Sequence, residues 1–282
     1  KNQDKARTFT VDTPVPYRTG DMMRLLEDAL GKLDRTHQSS AFHWIKARLE
    51  MLQGDRRYGF MFPGLAVQDN MAKILSRIFR IPVAGKPISI IDVSGVPSDI
   101  TSVVVAVLSR MVFDYAIWSR NEPQRPILLV CEEAHRYVPA ERDAHKSSVG
   151  KILGRIAKEG RKYGVSLGLI TQRPSDLAEG VLSQCGTIIA MRLNNDRDQA
   201  FVKAAMPEGA RGFLDTIPAL RNRECIICGE GVSIPIRVAM DELEEQKRPA
   251  SSDPLFSELW QQTGGEEEIV GRVVKRWRSQ GK

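Results

Sequence analysis

Apolar residues in the first part of the chain recur every three or four positions, which is the spacing of a helix with one buried face. The pattern is clear in three segments, residues 21–33, 42–52 and 67–78. The polar residues ahead of them, 1–20, are typical of extended chain or loop. The pattern therefore predicts a mostly helical segment over residues 1–86, and nothing in it indicates chemistry.

From residue 87 onward, short apolar runs typical of strands alternate with helical segments. The predicted strands are residues 87–95, 126–131, 165–171, 186–193 and a pair within 224–240. The predicted helices are residues 98–118, 147–162, 175–184 and 196–206. Near-continuous apolar strands that alternate with helices predict an α/β fold, in which helices cover both faces of a mostly parallel sheet.

Four of the predicted strands end in residues that could bind a ligand or take part in catalysis. These residues are Asp92, Ser94, Glu132, Glu133, Thr171, Gln172 and Arg192. In sheets of this kind, ligands bind beyond the carboxyl ends of the strands. One polar strand end is common in any protein, whereas four at one rim predict a binding site.

Composition limits the class of protein without identifying it. With 282 residues, of which 42% are hydrophobic, the chain can form one large or two modest domains. A net charge of +6 is compatible with binding a polyanion and equally with an ordinary surface. The four cysteines are too few for a disulfide framework, which favours a reducing cytoplasm. No apolar run approaches the roughly 20 residues that span a bilayer, so no membrane association is predicted.

The strand that ends in two adjacent carboxylates has the pattern of a Walker B element. In "ILLVCEEAH", residues 127–135, apolar residues lead directly into Glu132 and Glu133. In a P-loop NTPase, one such carboxylate holds Mg²⁺, and the next orients or deprotonates the water that attacks the γ-phosphate of ATP. The alternative is a solvated strand end, but the surrounding alternation of strands and helices favours the NTPase interpretation.

Residues 87–240 resemble the HerA family of DNA-translocating ATPases, within the broader HerA–FtsK group. The resemblance is carried by "ISIIDVSGVPSDI", "ILLVCEEAHRYVP", "ILGRIAKEGRKYGVSLGLITQRPSDL" and "CIICGEGVSIPIRVAM". It implies a RecA-like core in a homo-hexameric ring that moves double-stranded DNA with ATP and Mg²⁺, often beside a nuclease. Some members of the family act with an effector enzyme in antiphage defence.

The resemblance also implies roles for single residues. Glu132 takes the position of the Mg²⁺-associated acidic residue, and Glu133 takes that of the catalytic carboxylate. Gln172 matches the polar sensor of the γ-phosphate, with Thr171 beside it at the nucleotide. The alternative for Gln172 is an amide that caps its own loop.

Arg155 and Arg161 lie where HerA-like rings supply an arginine to the nucleotide of the neighbouring subunit. We expect one of the two to act in this way. The alternative for Arg155 is an ion pair with Glu159, four residues further along the same helix.

Two further groups of residues are weaker candidates. Arg136, Arg142 and Lys146 follow the Walker B strand, where loops of RecA-like rings can line the pore and contact DNA phosphates, although a solvated loop explains them equally well. Cys225 and Cys228 form a C-x-x-C pair without a second pair, so core packing is favoured over zinc binding.

A P-loop motif, G-x-x-x-x-G-K-[ST], does not occur in the 282 residues. The Gly-Lys pairs at 85–86 and 150–151 lack the required flanking residues. We therefore expect that the chain begins downstream of the P-loop and of an N-terminal β-barrel, or that it has lost nucleotide binding. In either case the 282 residues alone are expected to be inactive as an ATPase.

The predicted organisation has three parts: helical residues 1–86, inserted in or packed on the ATPase domain, an ATPase core over 87–240, and a C-terminal tail over 241–282. The leading hypothesis is a cytoplasmic motor that translocates or unwinds duplex DNA together with a nuclease or other effector. The alternative is a ring-shaped scaffold that activates a defence effector, with weak or regulatory hydrolysis. An enzyme of small-molecule metabolism is disfavoured, because no glycine-rich nucleotide fingerprint occurs.

Overall fold

The structure is a computed structural model that describes most of the chain in two compact units, Lys1–Cys185 and Gly186–Lys282. The residues described are 10, 13–32, 38–61, 69–122, 125–140, 148–206, 209, 212, 215–248, 256–261, 265 and 267–279. The predicted boundaries at residues 86 and 240 stay a prediction.

The N-terminal part of the first unit is helical, as its periodicity predicts. Its helices are α1, Thr19–Lys32, α2, Gln38–Gly54, and α3, Met71–Phe79, with a 3₁₀ helix over Arg56–Met61. An ion pair between Lys46 Nζ and Glu27 Oε1, 2.6 Å apart, links α2 to α1. The start of the third predicted helix, residues 67–68, lies outside the described residues.

Helix α4, Ser98–Trp118, has the predicted bounds and forms part of the core. Phe113 is fully buried, and its ring meets Tyr163 edge-on with the ring centroids 5.5 Å apart. Residues Ile100–Trp118 are long and apolar enough, by length and composition, to cross a membrane, which the sequence-based expectation did not foresee. The buried side of this helix packs against the next helix of the unit, as a core helix does.

Two parallel strands form the sheet of the first unit. Strand β1, Ile127–Cys131, pairs with β2, Val165–Leu169, with Ile127 opposite Val165 and Cys131 opposite Leu169. The crossover between them is α5, Ser148–Glu159, followed by a 3₁₀ helix over Gly160–Tyr163. After β2 come a 3₁₀ turn, Pro174–Asp176, and α6, Glu179–Leu182. Parallel strands joined through a helix confirm the α/β class that the RecA-like prediction required.

The structure corrects two expectations about this sheet. Residues 87–95 are not a strand, and the side chains of Ile88 and Ile90 are exposed. A strand needs a neighbouring strand that pairs with its backbone N–H and C=O groups, and none of the described strands pairs with this segment. In addition, β1 is covered on one face only, because Leu128 and Val130 are 64% and 47% exposed whereas Cys131 is buried.

The second unit contains an antiparallel sheet in the order β3–β4–β5, which are Thr187–Ala190, Glu224–Gly229 and Ile236–Ala239. The sequence predicts that residues 186–193 continue the parallel sheet. This prediction is wrong, because β3 runs antiparallel to its partner β4. The unit also contains α7, Asp196–Ala205, α8, Phe256–Leu259, and α9, Glu267–Ser279.

The core of the second unit explains its cysteine pair. Cys225 and Cys228 both lie on β4 and are fully buried, and Cys228 packs in a cluster with Ile226, Val202 and Leu220. No group of three or more possible metal ligands occurs among the described residues. The structure therefore supports the core-packing interpretation of the C-x-x-C pair.

The block "EGRKYG" is built around a close approach that requires glycine. Gly160 is buried between α5 and β2, and a Cβ atom on it would lie 2.5 Å from the carbonyl oxygen of Val165. Real Cβ atoms do not approach a backbone oxygen so closely. Val165, the first residue of β2, can therefore occupy its position only because residue 160 is a glycine.

Gly160→Ala is expected to lower the free energy of unfolding by about 1–3 kcal/mol, because the added methyl group displaces backbone rather than a flexible side chain. The matched control is Gly154→Ala in α5, where a Cβ meets nothing within 4 Å. Gly154→Ala should raise the free energy of unfolding by roughly 0.5–1 kcal/mol, since glycine is a poor helix former. Denaturant unfolding of both variants measures the difference, and equal shifts of the same sign would contradict the close approach.

Candidate functional site

The ends of β1 and β2 are joined by backbone hydrogen bonds that continue beyond the strands. The N–H of Ile170 donates to the carbonyl oxygen of Cys131 at 3.0 Å, and the N–H of Ala134 donates to that of Ile170 at 2.9 Å. Residues that are almost 40 positions apart in sequence are thereby placed side by side at the carboxyl edge of the sheet. This is the edge at which the sequence predicts a site.

Glu133 stands at the centre of this edge in an unusual backbone conformation. Its φ and ψ angles are 49° and 45°, the left-handed region, which costs a non-glycine residue about 1–2 kcal/mol. The side-chain amide of Gln172 donates to Oε1 of Glu133 at 3.4 Å, and Nε2 of His135 lies 3.5 Å from Oε2. Groups from both strand ends therefore face the two oxygens of one carboxylate.

His135 is a member of the site that sequence reasoning missed. Its Nδ1 atom lies 3.0 Å from the hydroxyl oxygen of Thr171, which also accepts a hydrogen bond from the backbone N–H of Arg173 at 3.0 Å. A signal was present in the sequence, since His135 follows one predicted strand end and Thr171 closes the next. Which side chains meet, however, depends on the register of the two strands.

Glu132 and Cys131 differ sharply in environment although they are neighbours. The carboxylate of Glu132 is exposed and forms no hydrogen bond or ion pair within the described part of the chain. Cys131 is buried, and this burial raises the pKa of its thiol to about 11, so that it stays protonated and unreactive at neutral pH. The end of β1 therefore presents the carboxylate of Glu132 as a possible oxygen ligand, whereas Cys131 provides no thiolate there.

The residues at this edge fit a magnesium ion that is shared with a nucleotide. Mg²⁺ prefers oxygen ligands and is usually held by one or two carboxylates together with phosphates and water, rather than by a complete protein cage. Glu132 provides an accessible carboxylate at the end of β1. Thr171, the residue before Gln172, provides a half-buried hydroxyl after the end of β2.

The loops that carry the site are fixed to each other. The N–H of Ala178 donates to the carbonyl oxygen of Val138 at 2.9 Å, and the N–H of Ala140 donates to that of Asp176 at 2.8 Å. Val138 and Leu177 are both 2% exposed. Because the two loops are paired and anchored in the core, the groups at the strand ends are held in place by the fold itself.

The two candidate arginines have different surroundings. The guanidinium carbon of Arg155 lies 4.8 Å from the centroid of the Phe113 ring, and Nε lies 3.4 Å from Oε2 of Glu159. The ion pair that the sequence offered as the alternative for Arg155 is therefore present. Arg161 is exposed, and its side chain has no ion pair with any residue that the structure describes.

The other candidate residues that the structure describes have different surroundings. The carboxylate of Asp92 accepts a hydrogen bond from the backbone N–H of Ser94 at 2.8 Å, which is a local turn. Arg192 belongs to the second unit, where it donates to Asn222 at 3.5 Å. Arg136, five residues after the end of β1, is exposed. The other two candidate DNA contacts, Arg142 and Lys146, lie outside the described residues.

A family model described as "Helicase HerA, central domain" matches residues 4–112. The match includes the N-terminal helices, whereas the sequence motifs carried the resemblance only over residues 87–240. The helical segment is therefore part of what the chain shares with that domain, although it contains none of the motifs by which the resemblance was recognised.

Curated proteins similar to the chain include three archaeal helicases. The chain is 37% identical over 152 residues to the DNA double-strand break repair helicase HerA of Pyrococcus furiosus, covering 54% of this chain and 25% of that protein. It is 32% identical over 194 residues to the protein of the same name from Sulfolobus acidocaldarius, covering 67% of this chain and 38% of that protein. It is 32% identical over 178 residues to the probable helicase MJ1565 of Methanocaldococcus jannaschii, covering 62% of this chain and 34% of that protein. The chain thus spans well under half the length of these relatives.

Among solved structures, the chain is similar to the genome packaging NTPase B204 of Sulfolobus turreted icosahedral virus 2, solved in complex with AMPPCP. The TM-score is 0.39 at 16% identity, over 49% of this chain and 63% of that chain.

Proposed function

The chain is related to the HerA helicases over more than half of its length, and from this relationship we propose that the complete protein is an ATP-driven motor on double-stranded DNA. The observation that carries the proposal is the Glu133 carboxylate, which lies between groups from the two strand ends. A hydrolytic NTPase needs such a carboxylate, held in a fixed orientation, to activate water.

We assign each residue of the site a separate role in ATP hydrolysis. Glu133 orients the attacking water and takes up its proton, and Gln172, in contact with that carboxylate, senses the γ-phosphate. Glu132 would hold Mg²⁺, directly or through its water ligands, with Thr171 beside it at the nucleotide, and the ion would neutralise charge on the phosphates when bound. The contact between Gln172 and Glu133 supports the sensor role over a capping role, because the amide donates to a catalytic group rather than to its own loop.

ATP binding requires a phosphate cradle in addition to these groups. Backbone N–H groups and a lysine supply it in P-loop NTPases, and the 282 residues contain no such motif. We therefore expect hydrolysis only from a protein that also provides a P-loop, and none from these 282 residues alone.

We propose that the complete protein forms a homo-hexamer in which Arg161 reaches the nucleotide of the adjacent subunit. Its exposure supports this choice, because a residue that acts across an interface must be accessible on the isolated subunit. Arg155 is the weaker candidate, since its guanidinium already stacks on Phe113 and pairs with Glu159.

The proposed substrate is duplex DNA, handled in the cytoplasm together with a nuclease or another effector protein. The positively charged residues that follow β1, Arg136, Arg142 and Lys146, are the proposed contacts with DNA phosphates. The net charge of +6 is compatible with binding of a polyanion.

The test is ATP hydrolysis by the complete protein with and without duplex DNA. A motor should hydrolyse ATP several-fold faster when duplex DNA is present, and Glu133→Gln should remove both the basal and the stimulated rate. Single-stranded DNA of equal length is the control for general polyanion effects.

The same measurement separates the motor from the alternative, a ring-shaped scaffold for an effector in antiphage defence. For a scaffold, hydrolysis should be slow and indifferent to DNA, while the effector's activity should depend on ring assembly. A rate that duplex DNA leaves unchanged would therefore contradict the motor.

A further inference from the structure

His135 connects the catalytic carboxylate to the end of the neighbouring strand. We propose that it is a positioning residue, which holds Glu133 in its working orientation by bridging it to Thr171. The inference rests on the proposed ATPase function, because it assigns a role within that site. His135 itself would touch neither nucleotide nor water, and it would act only through Glu133.

For a neutral imidazole, the contacts are satisfied by one arrangement of hydrogens. Nε2 faces Oε2 of Glu133, and because an ionised carboxylate can only accept, Nε2 carries the hydrogen. Nδ1 of the neutral ring then accepts from the hydroxyl of Thr171. The oxygen of that hydroxyl in turn accepts from the backbone N–H of Arg173. A single tautomer therefore gives a continuous chain from the backbone of the β2 end to the carboxylate.

Glu133 needs support of this kind because its backbone is strained. A left-handed conformation at a non-glycine residue persists only where the surrounding structure over-determines it, and such residues cluster at functional sites. The imidazole at one oxygen and the Gln172 amide at the other restrict rotation of the carboxylate about its last bond. The distances, 3.4 and 3.5 Å, are long for hydrogen bonds, as is common at catalytic groups in the absence of substrate.

The position of His135 in the fold favours a functional role over simple core packing. Its side chain is 19% exposed, so it is not sealed in the core, and it lies between fully buried Ala134 and the buried pair Tyr137 and Val138. The backbone around it is therefore anchored by buried side chains, while both ring nitrogens lie within 3.5 Å of site residues. A histidine that only filled space would need neither contact.

The arrangement also links the sensor to the catalytic group. Thr171 and Gln172 are adjacent at the end of β2, and each reaches Glu133, one through His135 and one directly. Any movement of the β2 end therefore changes both contacts of the carboxylate together. Occupancy of the γ-phosphate position, sensed by Gln172, would thus be transmitted to Glu133 along two routes.

The test uses substitutions that keep one contact at a time, made in the complete protein. His135→Gln can place an amide near the position of Nε2 and keep the contact with Glu133, whereas His135→Asn can reach only the position of Nδ1 and the contact with Thr171. His135→Ala removes both. We expect kcat to fall roughly tenfold or more in His135→Ala, as is typical when a group that orients a catalytic residue is lost. KM for ATP should change little.

Two further readouts distinguish positioning from a general loss of structure. His135→Gln should recover part of the lost kcat and His135→Asn should recover less, because contact with Glu133 is the one that matters for chemistry. Combining His135→Ala with Thr171→Val should cost no more than the larger of the two single losses, since both break the same chain. Multiplicative losses, or equal rates in the Gln and Asn variants, would overturn the proposal.

Glu133→Gln separates failure of this inference from failure of the proposed function. If Glu133→Gln is inactive while His135→Ala keeps the native kcat, the positioning role is wrong and the ATPase assignment stands. If Glu133→Gln itself hydrolyses ATP at the native rate, the catalytic role of Glu133 is wrong and the inference falls with it. If the unsubstituted complete protein hydrolyses no ATP, the proposed function is wrong. Should His135→Ala fail to fold, the comparison of the Gln and Asn variants decides the question.

Discussion

Glu133→Gln in the complete protein is expected to bind ATP normally and to hydrolyse it about 100-fold more slowly or worse, the usual contribution of a general base. Glutamine has the same length as glutamate and can keep the left-handed backbone, so the substitution isolates the negative charge. The amide of Gln172 would then face a group that can no longer take up a proton. Single-turnover hydrolysis with ATP in excess of its dissociation constant measures the loss directly.

The matched control is Glu132→Gln at the adjacent position. Because the carboxylate of Glu132 is exposed and is proposed to hold Mg²⁺, its loss should raise the Mg²⁺ concentration needed for half-maximal activity. High Mg²⁺ should restore activity to Glu132→Gln and not to Glu133→Gln. Near-native turnover by Glu133→Gln, or rescue of both variants by Mg²⁺, would show that the roles are assigned to the wrong residues.

Arg161→Ala is expected to reduce hydrolysis by about 10³-fold, the lower range for an arginine that stabilises charge on the transferred phosphoryl group. The defect should be repaired by mixing with Glu133→Gln subunits, each of which supplies an intact Arg161 to its neighbour. Recovery occurs only where an Arg161→Ala subunit contributes Glu133 and a Glu133→Gln subunit contributes Arg161 to one interface. Hydrolysis by the mixture, compared with each variant alone, is the measurement.

Arg155→Ala is the control for the arginine experiment. This arginine stacks on Phe113 and pairs with Glu159 on the surface of α5, so its removal should affect stability modestly and leave turnover nearly native. If Arg155→Ala loses activity that mixing restores, the assignment moves to Arg155. If both arginine variants are fully active alone, neither acts across an interface.

The sequence by itself determined the elements whose pattern is local. Helix α4 begins and ends where the periodicity predicts, and β1 and β2 lie within the predicted strands. Helical spacing and apolar runs are set by residues a few positions apart, so neighbours in sequence suffice to recognise them. The sequence also placed two glutamates at a strand end and resembled the HerA family through its motifs.

Pairing between segments was decided only by the tertiary structure. Residues 186–193 have the composition of a buried strand, and composition does not distinguish the parallel sheet from the observed antiparallel pairing with β4. Residues 87–95 have the same composition, yet they form no strand, since a strand exists only with a partner. The alternating exposure along β1 likewise reflects which neighbours pack on it rather than its own residues.

The contacts within the site also depend on residues that are far apart in sequence. His135 and Thr171 are 36 residues apart, and they meet because the register of β1 and β2 sets their strand ends side by side. The choice between Arg155 and Arg161 depends on the ring of Phe113, which a different helix brings to Arg155. The sequence could therefore name candidate groups for the chemistry, whereas their contacts follow from strand register and helix packing, which no local pattern encodes.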